Sequence, residues 1–280
     1  MLKVALFTTT DTLGNRQEEF DRLIDSLKQQ ANVSSSIKIF ILLQNSSEEV
    51  RNRLNHQLPS WVTLYTWPTQ LSLSAARNFL FSSVRDHDIF NEDTIVGFPD
   101  DDCWYPSHLL EKITLAFSQD EQLDLLICGV SLRPIDPSWS VVGSPQASVP
   151  AVVRRSSSNS VFFRGSLIAQ IGDFDPTLGL GTPNFGGEDT DFTIRGYIRS
   201  RRSVFIEHAL VGHPESNVNS VAKYFRGTLL VLARHARHSG PFMREYIRKL
   251  AVGAYLVATQ RMSLMEYQQS VRRSAAKIGR

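Results

Sequence analysis

The chain opens on alternating apolar and amphipathic blocks. Lys3–Thr9 is a short, β-compatible apolar run, and Gln17–Gln30 follows with Phe20, Leu23, Ile24 and Leu27 at helical spacing. Ile37–Leu43 is almost wholly aliphatic or aromatic, as in a strand buried on both faces of a parallel sheet. A polar helix over Ser47–Gln57, a strand at Val62–Thr66, a helix capped by Ser74 and running to Arg85, and a strand at Thr94–Phe98 continue the alternation. Repeated β-α units predict an α/β fold: a doubly wound, mainly parallel sheet with helices on both faces.

The pattern then loosens. It predicts a helix at Ser107–Phe117, a strand at Leu123–Val130, a loop or irregular hairpin over Arg133–Val149, a strand at Ser160–Arg164 and a short helix at Ser166–Ile171. After Glu188 come a helix to about Ser200 and a strand at Ser203–Ile206. Helices over Val221–His235, Pro241–Thr259 and Ser263–Lys277 complete the reading, which divides into an α/β domain, residues 1–215, and a helical C-terminal extension, residues 216–280.

Charge sharpens that division. The net charge is only +2, yet residues 216–280 hold twelve Lys or Arg against two Asp or Glu, so this segment is +10 and the remainder −8. A basic tail suits anionic lipid, nucleic acid or a phosphorylated substrate, while the acidic remainder argues against a nucleic-acid partner. The longest apolar helical stretch, Leu250–Thr259, is about half of what spans a bilayer, so a membrane contact would be peripheral. Cys103 and Cys128 offer neither a disulfide framework nor metal-ligand spacing, which fits a reducing, cytoplasmic compartment.

In doubly wound sheets ligands lie beyond the carboxyl ends of the strands. That rule selects Thr9, Asp11, Gln44, Asn45 and the run Asp100-Asp101-Asp102. Three adjacent carboxylates repel one another, and a hard divalent cation such as Mg²⁺ or Mn²⁺ relieves the repulsion. The competing explanation is an acidic start to the next helix. Glu188, Asp189 and Asp191 follow the glycine-rich stretch Gly179–Gly187 and suit general-base chemistry or, alternatively, helix capping. His213 can ligate a metal or stand on the surface. Arg77 and Asn78 can face a diphosphate. Asn159 can line the pocket, and Trp104 can stack on a sugar face.

Taken in order, Leu73-Ser74-Ala75-Ala76-Arg77-Asn78, Phe98-Pro99-Asp100-Asp101-Asp102, Ile171-Gly172-Asp173-Phe174-Asp175 and Gly187-Glu188-Asp189-Thr190-Asp191-Phe192 resemble the motif series of inverting family-two glycosyltransferases with the GT-A fold. The resemblance covers roughly residues 1–215. It implies a metal and nucleotide-diphosphate site at Asp100–Asp102, with Asp102 the principal metal ligand, and His213 as a further one. It further implies Asp189 as the base, with Glu188 and Asp191 beside it, and Arg77 against the donor. Where the family carries an aspartate after the second strand, this chain has Gln44-Asn45, whose amides can still meet a uracil edge.

The implied reaction moves a sugar from a nucleotide-sugar, a UDP-sugar by resemblance, to a hydroxyl of a glycan or lipid-linked acceptor in surface polysaccharide or glycolipid synthesis. Mn²⁺ or Mg²⁺ assists an in-line displacement that inverts the anomeric centre. The basic tail would place the enzyme on the inner face of a cell membrane or, alternatively, pack on the main domain with only its outer face charged. One alternative is a sugar-phosphate nucleotidyltransferase, which needs a glycine-rich phosphate loop with a basic residue after the first strand; Thr8–Gly14 does not supply it. The other is a catalytically silent sugar-nucleotide-binding module.

Overall fold

The computed structural model describes residues 2–30, 36–135, 138–214 and 220–278. Among these residues seven strands form one sheet: β1 (Lys3–Asp11), β2 (Ile37–Gln44), β3 (Val62–Trp67), β4 (Thr94–Gly97), β5 (Leu123–Ser131), β6 (Val161–Arg164) and β7 (Arg202–Gly212). Their order is β3-β2-β1-β4-β6-β5-β7, and only β6 runs against its neighbours. The mainly parallel α/β architecture expected from the alternation is therefore present.

Strand side chains divide between two hydrophobic layers. Ala5 and Phe7 of β1, with Phe40 and Leu42 of β2, enter one; Val4 and Leu6, with Ile39 and Ile41, enter the other. This period of two gives each central strand two buried faces, which explains its continuous apolar sequence. Helices α1 (Gln17–Lys28) and α4 (Leu109–Gln119) cover the second layer through Leu23, Ile24, Leu110 and Ile113. The first layer receives α3 (Leu73–Ser83), α5 (Val149–Arg155), α6 (Gly165–Ile171) and α7 (Glu188–Arg199). The polar α2 (Glu48–Asn55) precedes β3 and buries none of its own residues.

The basic C-terminal segment folds as α8 (Ser220–Lys223), α9 (Phe225–His235), α10 (Gly240–Ala258) and α11 (Leu264–Ala275). Phe225, Leu229, Val231 and Leu232 of α9 belong to the same buried layer as Phe7 and Phe98. The proposed division between residues 215 and 216 lies outside the described residues. No described helix is long and apolar enough to cross a membrane.

Local chemistry moved several boundaries. Ser72, not Ser74, caps α3, accepting from Ala75 N at 3.3 Å, while Ser74 is buried and donates to Leu178 O at 2.7 Å. Two serines two positions apart fit the same cap pattern, and tertiary contact decided between them. Apart from residues 136–137, which are not described, the stretch from Arg133 is irregular only as far as Ser148. There Ser148 caps α5, with Pro150 in its first turn, a helix not foreseen in the sequence. β7 runs to Gly212, six residues beyond Ile206, because pairing with β5 through bulges carries Glu207 and His208 despite their polarity. The helix expected over Val221–His235 breaks at Tyr224 into α8 and α9.

Candidate active site

The strand directions set the site. β1, β2, β4, β5 and β7 all end at one edge of the sheet, and β6 begins there. Asp11, Asn45, Asp100–Asp102, Asn159 and His213 therefore collect at that edge, although more than two hundred positions separate the first from the last.

The three consecutive aspartates have three different surroundings. Asp101 is anchored: Thr10 Oγ1 donates to its Oδ2 at 2.6 Å, and Arg16 reaches its Oδ1 at 2.6 Å and its Oδ2 at 3.0 Å. Burial outweighs these partners and leaves its pKa above the ordinary aspartate value. Asp100 is held by Asn159, whose Oδ1 accepts from Asp100 N at 2.5 Å and whose Nδ2 donates to Asp100 Oδ2 at 3.0 Å. Burial, then the charges of Asp189 and Asp102, push Asp100 up to about 6 against the pull of Arg77. Asp102 gives Oδ2 to Arg16 at 2.9 Å, but its buried Oδ1 receives no hydrogen bond among the described residues.

That orphaned oxygen faces His213. Trp104 and Gly212 exchange backbone hydrogen bonds of 3.0 and 2.8 Å, which brings the end of β7 against the acidic loop. The indole of Trp104 lies so close over Gly212 that a Cβ there would overlap the ring, so glycine permits the approach. His213 Nδ1 donates to Pro214 O at 2.6 Å, so Nε2 carries the lone pair, 3.4 Å from Asp102 Oδ1. Asp100, Asp102 and His213 each offer a ligand atom within 4.8 Å of the others. Two hard carboxylates, one of them with an unpaired buried oxygen, and a fixed imidazole tautomer fit Mn²⁺ or Mg²⁺.

Behind these acids lies Arg77, 2% exposed, on α3. Its Nη1 donates to Asp189 Oδ1 at 2.6 Å and its Nη2 is 3.5 Å from Asp100 Oδ1. The guanidinium carbon sits 5.1 Å from the Phe174 ring centre and 5.7 Å from that of Phe98. Arg77, expected against the donor, is thus placed behind the carboxylates as their buried counter-charge. Its neighbour Asn78 also turns inward, pairing with the backbone of Phe174 in both directions at 2.8 and 2.9 Å.

Asp189 is doubly oriented, since Ser158 N donates to its Oδ2 at 3.1 Å, and its side chain remains 23% exposed. Glu188 beside it is buried, with Oε2 lacking a partner among the described residues. Burial and then the adjacent Asp189 push Glu188 up to about 8, so it holds a proton at neutral pH. Asp191 is engaged elsewhere: Arg195 donates at 2.7 Å and His235 lies at 3.3 Å, tying α7 to α9.

The glycine-rich approach to Glu188 is seated by the tail. Gly186 and Gly187 have φ of 96° and 90°, and Gly227 of α9 lies flush against them. A Cβ on Gly187 would come within 2.7 Å of the Gly227 carbonyl carbon, and one on Gly227 would overlap the Gly186 carbonyl.

The remaining expected residues are placed as follows. Asn45 Nδ2 donates to Asp11 Oδ1 at 2.8 Å, joining the ends of β1 and β2. Gln44 Oε1 accepts from Leu71 N at 2.7 Å, and Thr9 pairs with Leu42 in the sheet. Trp104 has its ring 4.4 Å from the guanidinium of Arg22 in addition to Gly212. Arg16 and Ser158 were missed by sequence reading. Arg16 stands two residues past Gly14, just beyond the loop inspected for a basic residue, whereas Ser158 acts through its backbone and leaves no sequence signal.

The sequence model of Glycosyl transferase family 2 matches residues 13–140. No curated protein matches the chain. Among solved structures, S. aureus TarS 1-349 in complex with UDP-GlcNAc aligns with a TM-score of 0.67 at 13% identity, covering 99% of this chain and 80% of that one. Against the longer TarS structure the TM-score is 0.63 at 14% identity over 89% of this chain, which spans 43% of that protein. The mannosyltransferase PcManGT from Pyrobaculum calidifontis, in complex with GDP-Man and Mn²⁺, gives a TM-score of 0.61 at 13% identity, covering 99% of this chain and 85% of that one. At such identities the likeness establishes the fold: this chain has the GT-A fold of these glycosyltransferases.

Proposed function

We propose that this protein is a metal-assisted glycosyltransferase that moves a sugar from a nucleotide-sugar, a UDP-sugar first among candidates, to an acceptor hydroxyl with inversion. The observation that carries the reading is the convergence of a ligand set, Asp100, Asp102 and His213, with an oriented, partly exposed carboxylate, Asp189, at one sheet edge. The match to family two over residues 13–140, and the UDP-GlcNAc and GDP-Man complexes of the similar structures, support the donor class.

A divalent cation held by Asp100, Asp102 and His213 would neutralise charge on the departing nucleoside diphosphate. The protein's own groups supply the rest. Arg77 and Ser158 N fix the Asp189 carboxylate, which accepts the proton of the attacking hydroxyl. Glu188, protonated at neutral pH, is the poorer base of the pair. Asp101, tied to Thr10 and Arg16, anchors the acidic loop.

We assign residues 1–215 to catalysis and read the tail as a cover for the Gly179–Gly187 loop. Its charge, with exposed Ile247, Tyr255, Leu264 and Met265, also supports peripheral attachment to an anionic membrane carrying a lipid-linked acceptor. Salt-sensitive co-sedimentation with anionic vesicles tests the attachment, and a protein left in the supernatant at low salt refutes it.

The transferase reading is tested by incubating the protein with UDP-, GDP- and TDP-sugars, with and without Mn²⁺ or Mg²⁺. The expected result is metal-dependent release of nucleoside diphosphate from at least one donor. Absence of both release and metal-dependent donor binding across the panel would overturn it.

A further inference from the structure

A cavity of about 410 Å³ opens between the loop over residues 182–185 and helices α8, α9 and α11. The transfer chemistry leaves it unused, and its size falls within the range of small-molecule sites. Lys223, Arg226 and Arg261 line it, against one carboxylate, Glu266. Three cations and one acid leave a local charge of +2.

The lone acid is already committed. Glu266 Oε2 accepts from Ser263 N at 3.0 Å and from Ser263 Oγ at 2.8 Å, closing the first turn of α11. Arg226 is positioned by donation to Pro183 O at 3.1 Å. Among the described residues, Lys223 and Arg261 form no ion pair with any carboxylate. Lys223 Nζ instead stands 4.7 Å from the ring centre of Phe185, at the cavity wall. A concave surface with unneutralised cations concentrates anions, and arginine forks match phosphate oxygens.

The cavity adjoins the acidic site through two rings. Phe185 stacks on Tyr224 with centroids 5.8 Å apart, and Tyr224 packs on Gly186, two residues before Glu188. Burial raises the Tyr224 phenol, and the charges of Glu188, Asp100 and Asp189 raise it further, so this ring stands in the field of the acids while its neighbour walls the cavity.

We infer that this cavity binds a phosphate monoester carried by the acceptor, whose two negative charges match the +2 of Lys223, Arg226, Arg261 and Glu266, and so presents an acceptor hydroxyl to Asp189. The acceptor role rests on the transferase reading; the phosphate site itself does not.

The test is calorimetric titration of the full chain, with UDP and Mn²⁺ saturating, using glucose 6-phosphate, glucuronate, dimethyl phosphate and glucose. Glucose 6-phosphate is expected to bind at least tenfold tighter than glucuronate or dimethyl phosphate, and glucose not to bind measurably. The double variant Lys223→Ala/Arg261→Ala should weaken glucose 6-phosphate at least tenfold while UDP with Mn²⁺ binds unchanged, which also reports a folded protein. Arg261→Lys in the wild-type background, which keeps the charge but loses the fork, should bind glucose 6-phosphate with an affinity between those of the wild type and the double variant. No binding by the wild type, equal affinity for glucuronate, or an unchanged affinity in the double variant overturns the inference. Phosphate binding at the cavity in a protein that binds no nucleotide would overturn the transferase reading alone.

Discussion

The Arg77 guanidinium donates to Asp189 at 2.6 Å and lies 3.5 Å from Asp100, so one buried cation spans the proposed base and the proposed metal ligand. Replacing it with methionine keeps the volume but strands two carboxylates. Arg77→Met is expected to cost about 3–5 kcal/mol, the usual penalty for removing one partner of a buried pair, as measured by urea denaturation. A loss below about 1 kcal/mol would mean that water already compensates the pair.

Asp189 and Asp191 are two positions apart and separable by experiment. Asp189→Asn should lower transfer by about 10²–10⁴-fold with donor binding intact. Asp191→Asn, which weakens the ties to Arg195 and His235, should cost about 1–3 kcal/mol of stability and leave turnover per folded molecule near wild type. The reverse pattern would transfer the base role to Asp191.

Metal affinity should follow the orphaned oxygen. Asp102→Asn and His213→Ala are each expected to weaken Mn²⁺ binding by at least about 10–100-fold, the range seen on losing even an outer-shell partner. Mn²⁺ electron paramagnetic resonance titration measures it. His213→Ala is the cleaner variant because Asp102 also pairs with Arg16.

Stability should decline on both sides of mildly acidic pH. Burial alone would raise Asp175, Asp191 and Glu245. It is outweighed by Thr177 and Arg234 at Asp175, by His235 and Arg195 at Asp191, and by Arg154 and Arg248 at Glu245, and all three lie below their ordinary values. Their stabilisation is present above the unfolded pKa and is lost as pH falls through the folded one. Glu188 has the opposite sign: raised from 4.5 to about 8, it favours the fold at low pH and withdraws that support as pH rises through the interval. Urea midpoints across pH 6–8 (roughly the part of that shift above Asp100) should therefore fall in wild type and flatten in Glu188→Gln. A slope unchanged by the substitution would reject the assignment.

The sheet was readable because the middles of β1 and β2 are buried on both sides and therefore apolar, and because α1 between them shows one apolar stripe. Asp100–Asp102 was readable because carboxylates at a strand end are costly without a purpose, and Glu188–Asp189 because they open a helix behind a glycine-rich approach. What each aspartate does was not. Only tertiary approach shows that Asp101 is anchored by Arg16, eighty-five positions away, and that Arg77 lies behind Asp189. α5 was missed because the Pro/Ser-rich stretch leading into it reads as loop, although Ser148 and Pro150 are start signals. The far end of β7 was missed because its partner strand, not its composition, sustains it.

The contact of Gly227 with Gly186 and Gly187 also sets an order of events during synthesis. Chains emerge amino end first, and Gly227 follows Asp102 by more than a hundred residues. The acidic loop and all seven strands are synthesised before the surface that seats the loop ahead of Glu188 and Asp189 has been made. A nascent chain thus carries its aspartates before the approach to Glu188 and Asp189 has a seat, and that seat is supplied only once α9 has left the ribosome and packed against the loop.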